Sequence, residues 1–125
     1  MKAMEASFWT QLDALIESTE IVIDRPRGSA HPRYPSFVYP LDYGYLQGTS
    51  GADGQEIDVW LGSAAERRLD AIVCTVDLLK RDVEVKLLIG CTENEQAAIC
   101  QFHNAGNSMA AILLVREQMR KGSGA

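Results

Sequence analysis

The chain is sparing in features that would direct it to other classes of protein. Its 125 residues include three cysteines, Cys74, Cys91 and Cys100, an odd number without the close paired spacing of a zinc site. Each stands in an apolar run (IVCTV, LIGCT, AAICQF), where cysteine behaves as a small buried hydrophobe, so structural burial is favoured over a thiol catalyst. No long apolar span and no secretory pattern precede them, and a reducing cytoplasm is the expected compartment. Basic residues are outnumbered, 12 Lys and Arg against 17 Asp and Glu, for a net charge of −5. That balance opposes nonspecific binding to nucleic acid or to an anionic membrane, since both need a basic face to release counterions. Aromatics make up 7% of the chain and are not interleaved with lysines, so a platform for single-stranded nucleic acid is missing too. There is no internal repeat and no interdomain linker. With 46% hydrophobic and 23% charged residues, positions 1–120 read as one domain and 121–125 as a disordered tail.

Hydrophobic periodicity places an amphipathic helix over residues 4–17, with Phe8, Trp9, Leu12, Leu15 and Ile16 on its core side. Residues 20–24 (EIVID) read as a strand, and the proline-punctuated stretch from Arg27 to Pro40 as extended loop. Further strands are expected over 55–61, 70–79 and 83–90. Residues 93–104 follow as a helix capped by Thr92, with Gly106 just beyond its end. The closing apolar segment 110–115 (AAILLV) is read as a strand, with a final helix as the alternative. Short strands with a helix between the last two suit a mainly β fold with α, a small closed barrel rather than an open parallel sheet.

The most informative stretch runs from Tyr39 to Leu61. Asp53 and Asp58 flank a short polar loop, Gly54-Gln55-Glu56, beside a tyrosine-rich turn. Acidic oxygens converging from a glycine-containing loop suit a hard cation such as Mg2+ better than zinc, which prefers nitrogen and sulfur. Such an ion can invert the charge of an acidic pocket, so a small, metal-complexed phosphate substrate fits an acidic chain.

Two motifs here resemble the soluble inorganic pyrophosphatases. Val38-Tyr39-Pro40-Leu41-Asp42-Tyr43-Gly44-Tyr45 is similar to that family's aromatic-Tyr-Pro-x-x-Tyr-Gly-aromatic element. Asp53-Gly54-Gln55-Glu56-Ile57-Asp58-Val59 is similar to its Asp-Gly-Asp-Pro-x-Asp-Val block, and the spacing from Tyr43 to Asp53 agrees without a gap. The resemblance implies a five-stranded OB-type barrel with flanking helices, laid along about residues 20–115, and Mg2+- or Mn2+-dependent hydrolysis of pyrophosphate. It also implies symmetric oligomers, for which the apolar final segment is one candidate interface and core the other reading.

The strands at 70–79 and 83–90 form a hairpin if they turn at Lys80-Arg81. Pairing Leu79 with Asp82 and Asp77 with Glu84 puts Asp77, Asp82, Glu84 and Lys86 on one face and Val76, Leu78, Val83 and Val85 on the other. Carboxylates opposed across two strands repel unless a cation sits between, so Asp77, Asp82 and Glu84 are candidates to complete the metal site begun by Asp53 and Asp58. The alternative is a solvated charged edge. The resemblance adds acidic ligands on this hairpin and makes Lys86 a phosphate-binding lysine. It leaves open which of Asp77 or Asp82 is the ligand.

Between Asp24 and Tyr34 the chain carries Arg25, Arg27, Arg33 and His31, a reasonable anion clamp because guanidinium forks match phosphate oxygens. Through the resemblance, Arg33 and Tyr43 bind substrate phosphate and Asp24 stands near the site, whereas Arg25 and Arg27 read equally well as surface ion-pair partners. Departures fall at the site itself. Gln55 replaces the family's water-orienting aspartate, and a neutral amide cannot take a proton. Glu56, next to it, is the candidate substitute, although adjacent strand side chains point to opposite faces. Asn104 and Ala105 stand where the family has a Tyr-Lys pair, and an arginine-bearing hairpin is missing between Tyr34 and Tyr39. Besides pyrophosphate hydrolysis, two further readings therefore follow: a diverged phosphohydrolase acting on another small ester, and a noncatalytic phosphate-binding module.

Overall fold

The computed structural model describes residues 2–117; the tail expected at 121–125 lies outside them. The elements are α1 (Lys2–Glu17), β1 (Ile21–Arg25), β2 (Asp42–Leu46), β3 (Asp58–Leu61), β4 (Leu69–Asp77), β5 (Asp82–Ile89), α2 (Glu93–His103) and β6 (Met109–Val115). Six strands form one mixed sheet in the order β1-β2-β3-β5-β4-β6, with β3 and β5 parallel and the other pairs antiparallel. The mainly β architecture with helices holds, with one more strand than the sequence pattern implied. The sheet is open: β1 and β6 are its edges, and no pairing joins them among the described residues.

The extra strand is β2, whose sequence Asp-Tyr-Gly-Tyr-Leu has the punctuation of a turn. Gly44 explains the disguise. A Cβ there would collide with the backbone of Val22 and Ile23, so β1 approaches β2 too closely for any side chain. The glycine belongs to strand packing. Residues 110–115 settle as strand rather than helix, paired along β4 from Ala71↔Val115 to Asp77↔Met109.

Each face of the sheet buries its own core. On one face Leu46, Val59, Leu69, Ile72, Leu87 and Ile89 are covered by Trp9, Leu12, Leu15 and Ile16 of α1, while Phe8 stays 48% exposed. Arg116, just past β6, pins that helix with a two-pronged bond to Asp13 (2.8 and 2.9 Å). Beyond the helix the same face leaves Val76, Val83, Val85, Ile112 and Leu114 exposed. On the other face Tyr39, Leu41, Trp60, Ala71, Val73, Leu88, Cys91 and Ile99 pack together with Phe102 of α2.

Helix α2 starts as its sequence predicts. The Thr92 side chain accepts from the Glu95 amide (3.2 Å) and Glu95 Oε1 accepts from the Thr92 amide (2.9 Å), a reciprocal capping box. At the other end Asn104 bonds both backbone groups of Ala111: its Nδ2 donates to the carbonyl (3.1 Å) and its Oδ1 accepts from the N–H (3.0 Å).

The β4–β5 hairpin departs from the expected register. Asp77 faces Asp82, Val76 faces Val83 and Thr75 faces Glu84, a shift of two that leaves residues 78–81 in the turn rather than Lys80-Arg81 alone. Strand β4 stops at Asp77 because its Oδ1 accepts from the amides of Leu79 (2.9 Å) and Lys80 (3.1 Å), which starts the turn early, and Arg81 completes it at φ 58°. An even shift preserves the alternation. Asp77, Glu84 and Lys86 therefore still share the inward face, and Val76, Val83 and Val85 the outward one.

Candidate functional site

A cavity of about 510 Å3 opens on the α2 face of the sheet, above β1, β2, β3 and β5 and beside the end of α2. Pairing builds its floor. Tyr43 sits opposite Trp60 and Tyr45 opposite Asp58, while Val59 is in register with Leu87, so alternation turns Tyr43, Asp58, Glu84 and Lys86 to one side.

Lys86 is the centre of that floor. Only 4% exposed, it donates to Asp58 Oδ2 (2.6 Å), Tyr43 Oη (2.9 Å) and Glu84 Oε1 (3.0 Å), which uses all three ammonium protons. Burial works against its charge, but Tyr43 and Asp58 outweigh burial and raise its pKa. The Tyr43 hydroxyl is pushed upward mainly by burial, so it stays a hydrogen-bond donor at neutral pH.

At one side of this group Asp53, Asp82 and Glu84 bring oxygens within 4.8 Å of one another. Asp53 comes from the mid-chain loop, where its Oδ1 also accepts from the Gln55 amide (3.0 Å), and the other two come from the hairpin. A hydrogen bond from Glu84 is the leading cause that holds Asp53 below its ordinary pKa, and burial followed by Asp53 lifts Glu84 above its own. Asp82 Oδ1 is buried without a hydrogen-bond partner among the described residues. An all-oxygen set with an orphaned carboxylate oxygen fits Mg2+ or Mn2+.

The remaining candidates are placed as follows. Asp58 joins the cluster only through Lys86. Asp77 lines the cavity but spends one oxygen on its turn. Asp24, Arg33 and Gln55 line the cavity, and Glu56 is not among its lining residues.

Sequence reasoning left Arg25 open between an anion clamp and a surface ion pair, and passed over His103. Arg25 lines the cavity, lies 5.6 Å above the Tyr39 ring and donates Nη1 to the Tyr39 hydroxyl. It pairs across β1–β2 with Tyr43, a relation visible only once β2 is known to be a strand. His103, also in the lining, accepts from Trp60 Nε1–H at Nε2 (3.1 Å). Burial, then Lys86, lowers its pKa to about 3, so the ring is neutral with its proton on Nδ1.

Solved structures with this fold handle one substrate class in name. An inorganic pyrophosphatase from Neisseria gonorrhoeae is similar over 77% of this chain and 81% of its own, with TM-score 0.58 and 19% identity. The inorganic pyrophosphatase of Helicobacter pylori is similar over 82% and 84%, with TM-score 0.53 and 16% identity. At such identities the likeness establishes the fold. No curated protein matches the chain. The family model described as Inorganic Pyrophosphatase matches residues 2–118, nearly the whole length, and the chain belongs to that family.

Proposed function

We propose that this cavity hydrolyses inorganic pyrophosphate to two orthophosphates with a divalent cation, Mg2+ or Mn2+, held by Asp53, Asp82 and Glu84. The observation that carries the reading is the meeting of the mid-chain loop with the β4–β5 hairpin in one carboxylate cluster. When bound, the cation supplies Lewis acidity and offsets phosphate charge. The chain's own groups supply the rest. Tyr43 donates to a phosphate oxygen from below, the Lys86 ammonium beneath it contributes its charge, and Arg33 donates from the loop. Water attacks one phosphorus, the bridging P–O bond breaks, and the proton passes to a carboxylate. Gln55 cannot receive it, and Asp58 is the best-placed base, since Lys86 takes one of its oxygens and the other is left for water.

The neutral Gln55 in the lining favours one second reading, a phosphate-binding module without turnover. Phosphate release with Mg2+ from pyrophosphate and from other small phosphate esters, measured for native protein, Asp58→Asn and Glu84→Gln, separates the readings. Activity lost in both variants supports hydrolysis, activity only on other phosphate esters supports a diverged hydrolase, and none in the native protein leaves the binder. We also infer a reducing cytoplasm, which would keep the three free thiols reduced; among the described residues no helix is long and apolar enough to cross a membrane. The exposed strip of Val76, Val83, Val85, Ile112 and Leu114 is the face a second copy would cover, and sedimentation as a monomer would dismiss that idea.

A further inference from the structure

Arg25 has the surroundings of a ligand-binding cation and none of those of a surface ion pair. Its guanidinium is half-buried in the cavity wall, stacked over Tyr39 and tethered to that residue's hydroxyl. No carboxylate oxygen lies within 4.0 Å of it among the described residues, in contrast to Arg68, Arg116, Lys80 and Lys86. One of five N–H donors is used by Tyr39; the others face a neighbourhood that holds Arg33 and His31, with the Asp24 carboxylate in the same wall but beyond ion-pair distance. These groups line the same wall, and both guanidiniums act on the His31 ring. A guanidinium so fixed and so poorly neutralised is pre-organised for an anion, because its side-chain freedom is already restricted by the aromatic ring below it.

Position supplies the second argument. From β1 to β5, which carries Glu84 and Lys86, there are three strand spacings of about 4.8 Å, roughly 14 Å in all. The cavity therefore has an acidic end over the hairpin and a basic end over β1, with Lys86 and Tyr43 between them. That spacing separates backbones; the Arg25, Arg33, Asp53 and Glu84 side chains all reach into one cavity, so a ligand with two phosphoryl groups can place one toward the carboxylates and the other toward the arginines.

We propose that Arg25, held by Tyr39, forms with Arg33 a phosphoryl-binding subsite at the basic end of the cavity, taking the phosphate group remote from the acidic cluster. This deepens the pyrophosphate reading and rests on it for the two-phosphoryl substrate, but the subsite itself binds a single phosphate dianion.

The test is calorimetric titration of inorganic phosphate, without metal, into native protein, Arg25→Ala, Arg25→Lys, Tyr39→Phe and Arg27→Ala. Loss of a charge-assisted, partly buried contact predicts about tenfold to a hundredfold weaker binding for Arg25→Ala. Arg25→Lys should keep part of the affinity, Tyr39→Phe should lose several-fold because the fork is no longer tethered, and Arg27→Ala should match native protein. Thermal unfolding of each variant identifies any that fails to fold, and Arg25→Lys then carries the comparison. Equal phosphate affinity in native and Arg25→Ala proteins, or native protein that binds no phosphate, overturns the subsite. Native protein that releases no phosphate from pyrophosphate yet binds phosphate through Arg25 refutes hydrolysis while upholding the subsite.

Discussion

Acid should destabilise this protein through His103, and the size of the effect follows from one hydrogen bond. Trp60 donates its indole proton to Nε2, and protonating that nitrogen would set two donors against each other in a buried place. The folded-state pKa is accordingly about 3, against 6.5 for a free imidazole. Because the folded pKa is the lower one, the unfolded chain binds the extra proton. The contribution is complete above about pH 6.5 and is lost progressively as pH falls toward 3. At 1.36 kcal/mol per unit, taking the protein from about pH 6.5 to about pH 5 should remove roughly 2 kcal/mol through this residue alone. His103→Gln keeps an acceptor for Trp60 but cannot titrate. Urea unfolding followed by tryptophan fluorescence at the two pH values gives the comparison, provided the denaturant slopes agree. Native protein should lose roughly 2 kcal/mol more than the variant. Parallel losses would mean that the folded ring takes up a proton freely and that the Trp60 bond does not set its state.

Three further outcomes are expected. Lys86→Met leaves Asp58 and Glu84 without their common counter-charge and should destabilise the fold by about 3–5 kcal/mol in the same unfolding assay. Mg2+ or Mn2+ at about a hundredfold above its dissociation constant should stabilise native protein by about 2.7 kcal/mol, reversed by a chelator, and Glu84→Gln should abolish the shift; an unchanged melting temperature in native protein would remove the cation from the cluster. Gln55→Asp restores a proton acceptor to the cavity lining and should raise phosphate release from pyrophosphate about a hundredfold, whereas an unaltered rate would place the base elsewhere.

Long periodic segments were readable from the chain. The α1 stripe of Trp9, Leu12, Leu15 and Ile16, the Thr92 cap and the strands on either side of Lys80 all declare themselves through spacing. Alternation along the hairpin also told which side chains share a face, and it survived an error of two in register because two is the period of a strand. What stayed hidden was set by backbone contacts between distant segments. Gly44 looks like a turn residue until β1 is seen lying against it, and without β2 there is no reason to turn Arg25 inward. The early turn after Asp77 depends on a side chain bonding its own backbone, which no hydrophobic pattern records. Asp53 and Asp82 were both nameable as acids of the site, but that they meet with Glu84 while Asp58 is drawn off to Lys86 is a matter of loop path and of one ammonium's reach.

The clasp between Asn104 and Ala111 bears on how this protein meets its neighbours. An outermost strand normally offers a ladder of vacant amides and carbonyls onto which any extended peptide can zip. Here a carboxamide from the adjoining helix already occupies both groups at the third residue of β6, imitating one rung of a partner that never arrives. Lateral growth along that border is interrupted there without a proline, a lysine or a bulge in the strand itself.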